Sequence, residues 1–256
     1  MITSAHNPRI QHVRSLLGRS KERRQDNAFV VEGVRLLEEA LSARWTFQFV
    51  LYSTSLSPRG QVLLDHLRQA GVEMDEVAES LLTSTAGTEN SQGILAVLNL
   101  TPLPASKEPD FVLILDGVRD PGNLGNLLRT ASAAGVQAVF LTPGCTDAFA
   151  PKVVRAGMGA HFHLPILTRG WEDLSVSLAG LKFVLAEMES PLSCWQADLS
   201  GRLALVIGGE AEGASPQAAR YCQLRLAIPM VASSESLNAA AAGAILLFEA
   251  KRQRDS

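Results

Sequence analysis

Ile228-Pro229-Met230-Val231-Ala232-Ser233-Ser234-Glu235-Ser236-Leu237-Asn238 is the stretch whose reading decides the architecture. An apolar strand over residues 224–229 runs into it. A helix expected from residue 237 to 254 leaves it, with no charge before Glu249. A polar Ser-Glu-Ser-Leu-Asn turn between two buried elements is costly unless its groups find partners. Two earlier segments are suited to meet it, residues 116–129 and 203–215. The three are read as walls of one site.

Working outward, Phe111-Val112-Leu113-Ile114-Leu115 and Leu203-Ala204-Leu205-Val206-Ile207 are fully apolar runs, typical of strands buried on both faces. Further strands are predicted at 138–141, 162–167, 183–186 and 224–228. Helices are predicted at 127–134, 151–158 and 215–221, the last two with proline at the first turn. This alternation predicts an α/β fold with a mostly parallel sheet covered on both faces. In such sheets ligands bind in loops at the carboxyl ends of strands, where all three unusual segments lie.

The N-terminal part reads as a separate, small α/β unit. Strands at 29–33, 47–52, 72–77 and 93–98 accompany helices at 34–43 and 61–70, the second closed by Gly71. Residues 101–110 carry Pro102, Pro104 and Pro109 among polar neighbours, so they are read as a linker. The expected organisation is residues 1–100, a linker at 101–110, and residues 111–256.

Composition sets bounds on function. At 46% hydrophobic and 19% charged, the 256 residues supply an ordinary core. A net charge of −3 does not point to a polyanion partner for the whole molecule, but the balance is uneven. Arg9, Arg14, Arg19, Lys21, Arg23 and Arg24 face only Glu22 in the first 24 residues. Ile10, Val13, Leu16 and Leu17 fall at helical spacing there, which gives either a solvated amphipathic helix or a contact for RNA phosphates. Cys145, Cys194 and Cys222 share no metal-like spacing, so a reducing cytoplasm is expected. The start of the chain has no apolar signal region, and its longest apolar run is too short to span a bilayer, so no membrane partner is expected. His161 and His163 lie two apart on a predicted strand without a third ligand, so no metal is expected.

The first wall is Asp116-Gly117-Val118-Arg119-Asp120-Pro121-Gly122-Asn123-Leu124-Gly125-Asn126-Leu127-Leu128-Arg129. Its glycines allow close approach of a ligand, and Arg129 could fork onto a phosphate or an oxyanion. A helix cap plus a bridging arginine is the plainer structural reading. The spacings G-x-G-x-x-G and G-x-x-x-x-G-K-[ST] are both absent, which disfavours a dinucleotide-dependent oxidoreductase. The second wall, Ile207-Gly208-Gly209-Glu210-Ala211-Glu212-Gly213-Ala214-Ser215, adds two carboxylates to exposed backbone. An uncharged or cationic ligand suits it better than a phosphate; an acidic turn before a helix is the structural alternative. In the third wall, Ser236 and Asn238 stand where loop becomes helix, and simple capping by Ser236 would also explain them.

In order and content these segments resemble the SPOUT superfamily of methyltransferases, and within it the TrmH/SpoU family of RNA 2′-O-ribose methyltransferases. Asn123-Leu124-Gly125 with Arg129, Gly208-Gly209-Glu210 with Gly213, and Ile228-Pro229-Met230 with Glu235-Ser236-Leu237-Asn238 are similar to that family's three motifs. Phe29-Val30-Val31-Glu32-Gly33 and Gln92-Gly93-Ile94-Leu95-Ala96-Val97 resemble parts of the family's ribosomal-protein-like RNA-binding domain. The resemblance implies a trefoil knot in the C-terminal domain, an exception to the rule that chains do not thread loops. It also implies a homodimer through that domain, with the alanine-rich closing helix at the interface.

The resemblance further implies S-adenosyl-L-methionine as methyl donor. Leu141, Thr142, Gly144, Ile207, Gly208, Gly209, Glu210, Gly213, Ile228, Met230, Ser236 and Leu237 are its expected contacts. Arg129, Asn123, Glu210, Ser236 and Asn238 are the expected catalytic group, and Arg9, Arg14, Arg19, Arg23, Arg24 and Arg35 the expected RNA grip. Departures from the family pattern fall at Gly209, Ala211 and Ala232, where asparagine, glycine and glycine are common. The expected substrate is 23S-type ribosomal RNA; the alternatives are transfer RNA, or RNA binding without transfer.

Overall fold

The computed structural model describes residues 1–87, 91–210, 213–231 and 236–256. The chain forms two compact units, Met1–Thr101 with Phe149–Phe162, and Pro102–Ala148 with His163–Ser256.

In the first unit, α1 (Pro8–Gly18) and α2 (Ser20–Asp26) precede β1 (Ala28–Glu32). Next come α3 (Val34–Ser42), β2 (Phe47–Tyr52), α4 (Pro58–Gln69), β3 (Met74–Glu76), α5 (Glu79–Ala86) and β4 (Ile94–Asn99). The sheet order is β1-β4-β2-β3, with β4 antiparallel to both neighbours and β2 parallel to β3. Ile10, Val13 and Leu16 of α1 pack with Val30, Phe49, Leu51, Leu95 and Val97, as their helical spacing predicts. The basic segment is broken into two helices because Arg19 is extended, with φ −132° and ψ 121°.

The second unit carries β5 (Phe111–Asp116), α6 (Pro121–Ala134) and β6 (Ala138–Leu141). The chain then enters the first unit as α7 (Pro151–Gly157) and a 3₁₀ turn (Ala160–Phe162). It returns as β7 (Ile166–Thr168), α8 (Trp171–Ser177), β8 (Lys182–Ala186), β9 (Leu203–Gly208), α9 (Pro216–Tyr221), β10 (Leu224–Leu226) and α10 (Ala239–Arg254). All six strands are parallel, in the order β10-β8-β9-β5-β6-β7. β5 and β9 are the central pair, and their runs at 111–115 and 203–207 are apolar because helices cover both faces. One face holds Trp171 and Leu174 of α8, with Leu178 at its C-cap, against Val112, Ile114, Phe183, Ala204 and Val206.

Several expectations need correction. Residues 111–256 are not one uninterrupted unit: Phe149 packs edge-on to Phe29 at 5.0 Å, and the Trp45 indole donates to the Phe162 carbonyl at 3.2 Å. The expected strand at 162–167 shrinks to Ile166–Thr168, so His161 and His163 share no strand face. Helix α6 begins at Pro121 rather than Leu127, because the Asp120 carboxylate accepts the Asn123 backbone N–H at 2.8 Å. Helix α10 begins one residue past Asn238, which caps it in place of Ser236. No helix among the described residues is long and apolar enough to cross a membrane.

Candidate active site

A cavity of about 820 Å³ opens at the carboxyl ends of β8, β9 and β10. Ala186, Glu187, Met188 and Glu189 line it after β8. Ile207, Gly208, Gly209, Glu210, Gly213 and Ala214 line it after β9. Leu226, Ile228 and Met230 follow from β10; Ser236, Leu237, Ala239, Ala242 and Leu246 complete it at the start of α10. Its size is ordinary for a cofactor site. A Cβ on Gly208 would lie 2.3 Å from the Ala214 nitrogen, and one on Gly209 2.5 Å from the Gly117 carbonyl oxygen. Only glycine lets these backbones meet. The Gly117 carbonyl thus gives a physical account of the departure at Gly209. Ala211 and Ala232, with Glu212 and Glu235, lie outside the described residues.

Beside the cavity, three side chains form one network. Asn123, 9% exposed, donates from Nδ2 to Glu210 Oε1 at 2.7 Å and accepts from Asn238 Nδ2 at 2.9 Å. Asn238 Oδ1 in turn accepts the Ala240 N–H at 2.9 Å, capping α10. Buried Asn123 thus joins the first, second and third walls. Burial pushes the Glu210 carboxyl up, but the Asn123 amide and backbone N–H groups, including that of Arg119, outweigh it and hold the carboxyl below its ordinary value. The group's folded pKa is therefore below an unfolded value of about 4.3, so its stabilisation is present above that pH and is lost as pH falls through the folded value. Glu210→Gln is expected to flatten the loss of thermal stability on acidification between about pH 5 and 3. Melting curves across that range check it.

Nine of the twelve expected cofactor contacts line the cavity: Ile207, Gly208, Gly209, Glu210, Gly213, Ile228, Met230, Ser236 and Leu237. Leu141, Thr142 and Gly144 do not. They sit at the end of β6, and β5 stands between β6 and β9. Thr142 instead donates to buried Asp116 at 2.9 Å. Glu187, Met188, Glu189, Ala242 and Leu246 are among the lining residues that sequence reasoning did not single out. Their one sequence signal is that 187–189 follow a strand's carboxyl end; the two helical residues have the periodicity of core.

Of the expected catalytic group, Ser236 and Glu210 line the cavity, and Asn123 and Asn238 adjoin it through the network. Arg129 lies outside it, exposed on α6 in a neighbouring groove with Asn126, Thr130, Ala133, Asn238, Ala240, Ala241 and Phe248. Asn238 belongs to both groove and network. Among the described residues, no ion pair engages the Arg129 guanidinium.

The cysteines supply no nucleophile here. Burial pushes the Cys145 thiol up, and that of Cys222 up to about 12. Among the described residues, no group of three His, Cys, Asp or Glu side chains is placed to hold a metal ion.

Two of the six arginines expected to grip RNA serve the first unit's own structure. Arg9 pairs with Glu73 and Asp75 and stands over the Phe49 ring at 4.9 Å. Arg23 is 4% exposed and donates to the Leu16 carbonyl. Arg19, Arg24 and Arg35 are exposed and Arg14 is half-buried.

Residues 110–248 match the SpoU rRNA methylase family, and residues 7–96 match the MRM3-like substrate binding domain. The chain belongs to the SpoU rRNA methylase family. A relative of Bacillus subtilis, the 23S rRNA (guanosine(2553)-2′-O)-methyltransferase RlmP, is 31% identical over 96% of this chain and 97% of its own length. An uncharacterized tRNA/rRNA methyltransferase of Synechocystis is 32% identical over 99% of this chain and 94% of its own. The crystal structure of an AdoMet-bound rRNA methyltransferase from Sinorhizobium meliloti superposes with a TM-score of 0.87 at 30% identity, covering 98% of this chain and 97% of that one. The lining of the cavity suits S-adenosylmethionine, the donor bound in that structure. Ile228 and Met230 give its lining apolar surface, and Glu189 and Glu210 give it negative charge, a combination suited to an uncharged ring beside a sulfonium; Glu187 already pairs with Arg225 at 3.3 Å.

Proposed function

We propose that this chain methylates the 2′-oxygen of a ribose in ribosomal RNA, with S-adenosylmethionine as donor. The observation that carries the reading is the Asn123–Glu210–Asn238 network at the rim of the glycine-walled cavity. The bound donor supplies an electrophilic methyl group. The protein's part is to align the ribose hydroxyl, stabilise the alkoxide that develops, and let the hydroxyl proton pass to water, a phosphate or a carboxylate. Arg129 is assigned to the alkoxide and the adjacent phosphate. A guanidinium is always protonated, so it acts by charge and not as a base. Asn123 fixes the carboxylate of Glu210 and the first turn of α10. Ser236 at the cavity wall orients donor or hydroxyl.

The first unit is read as the RNA grip, with Arg14, Arg19, Arg24 and Arg35 on its accessible surface. Replacing Arg19, Arg24 and Arg35 together by alanine is expected to lower the slope of log affinity against log salt by about 2 to 3. A salt titration of RNA binding checks this. Two further parts of the reading rest on the second unit. The order β10-β8-β9-β5-β6 and the close seating of α10 on α6 and β9 support a trefoil knot. A homodimer is supported by the α10 face that leaves Phe248 48% exposed beside Ala241 and Arg129. Phe248→Glu is expected to yield monomers in sedimentation, whereas the unaltered chain sediments as a dimer. Free cysteines suit a reducing cytoplasm.

The direct test is methyl incorporation from labelled S-adenosylmethionine into RNA from cells lacking this protein. Label in ribosomal RNA is the expected outcome. Label confined to transfer RNA would keep the chemistry and replace the substrate. No label despite RNA binding would return the chain to the class of RNA binders without transfer.

A further inference from the structure

Asp116, the last residue of β5, is 4% exposed, and no cation pairs with it among the described residues. Three neutral donors hold its carboxylate. Oδ1 accepts from Thr142 Oγ1 at 2.9 Å and from the Trp171 indole at 3.0 Å; Oδ2 accepts from the Ser215 backbone N–H at 2.6 Å. These donors come from the end of β6, the start of α8 and the cap of α9. A buried carboxylate is costly wherever apolar packing would serve. Its position suggests what it does.

Ser215 follows Ala214, and Ala214 lines the cavity. The Ala214 nitrogen is the atom that a Cβ on Gly208 would meet at 2.3 Å. Gly209 and Gly213 also exchange backbone hydrogen bonds at 3.1 and 3.2 Å. The segment after β9 is thus folded back onto its own strand, and Asp116 ties it down from the neighbouring strand. The same carboxylate acts on the other side of Gly209. Thr142 Oγ1 donates to Asp116 and accepts the Gly117 N–H at 3.2 Å, and the Gly117 carbonyl is what a Cβ on Gly209 would meet.

We propose that Asp116 is a positioning residue for the donor: its carboxylate sets where Ala214 and Gly117 stand against Gly208 and Gly209, and so sets the shape of the cavity. This rests on the reading of the cavity as the donor site. Thr142 then contributes to donor binding one step removed from contact.

The test is calorimetric titration of the full chain with S-adenosylmethionine, paired with steady-state methyl transfer. Asp116→Asn keeps the shape and loses acceptors. It is expected to raise donor Kd and donor KM about tenfold, the effect of one charge-assisted hydrogen bond, with kcat at saturating donor within about twofold. A merely structural role would lower the melting temperature and leave Kd and KM alone, and that result overturns the proposal. Should Asp116→Asn fail to fold, Trp171→Phe decides. It removes one donor to Asp116 while keeping an aromatic ring over Tyr221, and a rise in Kd of about threefold is expected. An unchanged Kd in Trp171→Phe then overturns the proposal. Ile228→Trp separates this from the underlying reading, because it fills the cavity far from Asp116 in the hydrogen-bond network. If Ile228→Trp abolishes donor binding and the Asp116 and Trp171 variants bind within twofold, the role of Asp116 alone is wrong. If Ile228→Trp binds donor normally, the cavity is not the donor site and the proposal falls with it.

Discussion

Arg129→Ala is expected to slow methyl transfer by about 10²–10³-fold, the loss typical of removing one group that stabilises developing negative charge. Donor affinity is expected to stay within about twofold of the unaltered chain, because the side chain lies outside the cavity. Folding should not suffer either. Arg129 is exposed on α6, and no ion pair holds it among the described residues, so alanine there leaves no buried group unsatisfied. The side chain shares its groove with Asn238, whose amide reaches Asn123 and through it Glu210. The proposed role of the charge rests on this adjacency, with a ribose held in the groove beside the cavity. Single-turnover rates with donor titrations separate the two effects. A near-normal rate would remove Arg129 from the chemistry, and a large loss of donor affinity would move it into the cavity.

Gly208→Ala is the second large effect, and it acts on binding. The added Cβ would stand 2.3 Å from the Ala214 nitrogen and 2.4 Å from the Gly213 carbonyl carbon. Both atoms are backbone, so no rotamer change relieves the contact, and the segment after β9 must move. Overpacking of this kind costs about 1–3 kcal/mol in a well-packed region. Here much of it falls on the wall that faces the ligand, and donor affinity is expected to drop by about thirtyfold or more. Gly201→Ala is the control. Its Cβ would have no neighbour within 4 Å, so affinity and melting temperature should both stay put.

Much of this was legible in the chain. The runs at 111–115 and 203–207 announced central buried strands, since covering a parallel sheet on both faces demands apolar residues throughout. Three polar loops at strand ends, two of them glycine-bearing, marked the candidate site, and the network through Asn123 brings them together. What stayed hidden was set by distance in the chain. The partners of Arg9, Glu73 and Asp75, lie more than sixty residues away, so a basic helix and a braced one look alike locally. The transfer of Phe149–Phe162 into the first unit leaves no break in composition, because it depends on aromatic contacts with Phe29 and Trp45. Leu141, Thr142 and Gly144, expected as contacts from the resemblance, end β6 beside β5 and do not line the cavity, a placement that depends on strand order. Helices α5 and α8 were missed because neither opens on a proline or a capping side chain, whereas α7 and α9, no longer, open on proline.

The central claim is that the donor's methyl group goes to a ribose oxygen and not to a base. Ribosomal RNA labelled by the purified chain with radioactive S-adenosylmethionine should therefore be digested to completion with alkali. A 2′-O-methyl group blocks attack on the adjacent phosphate, so the account predicts that the label survives in an alkali-stable dinucleotide. Label recovered in single nucleotides would place the methyl group on a base and contradict the account.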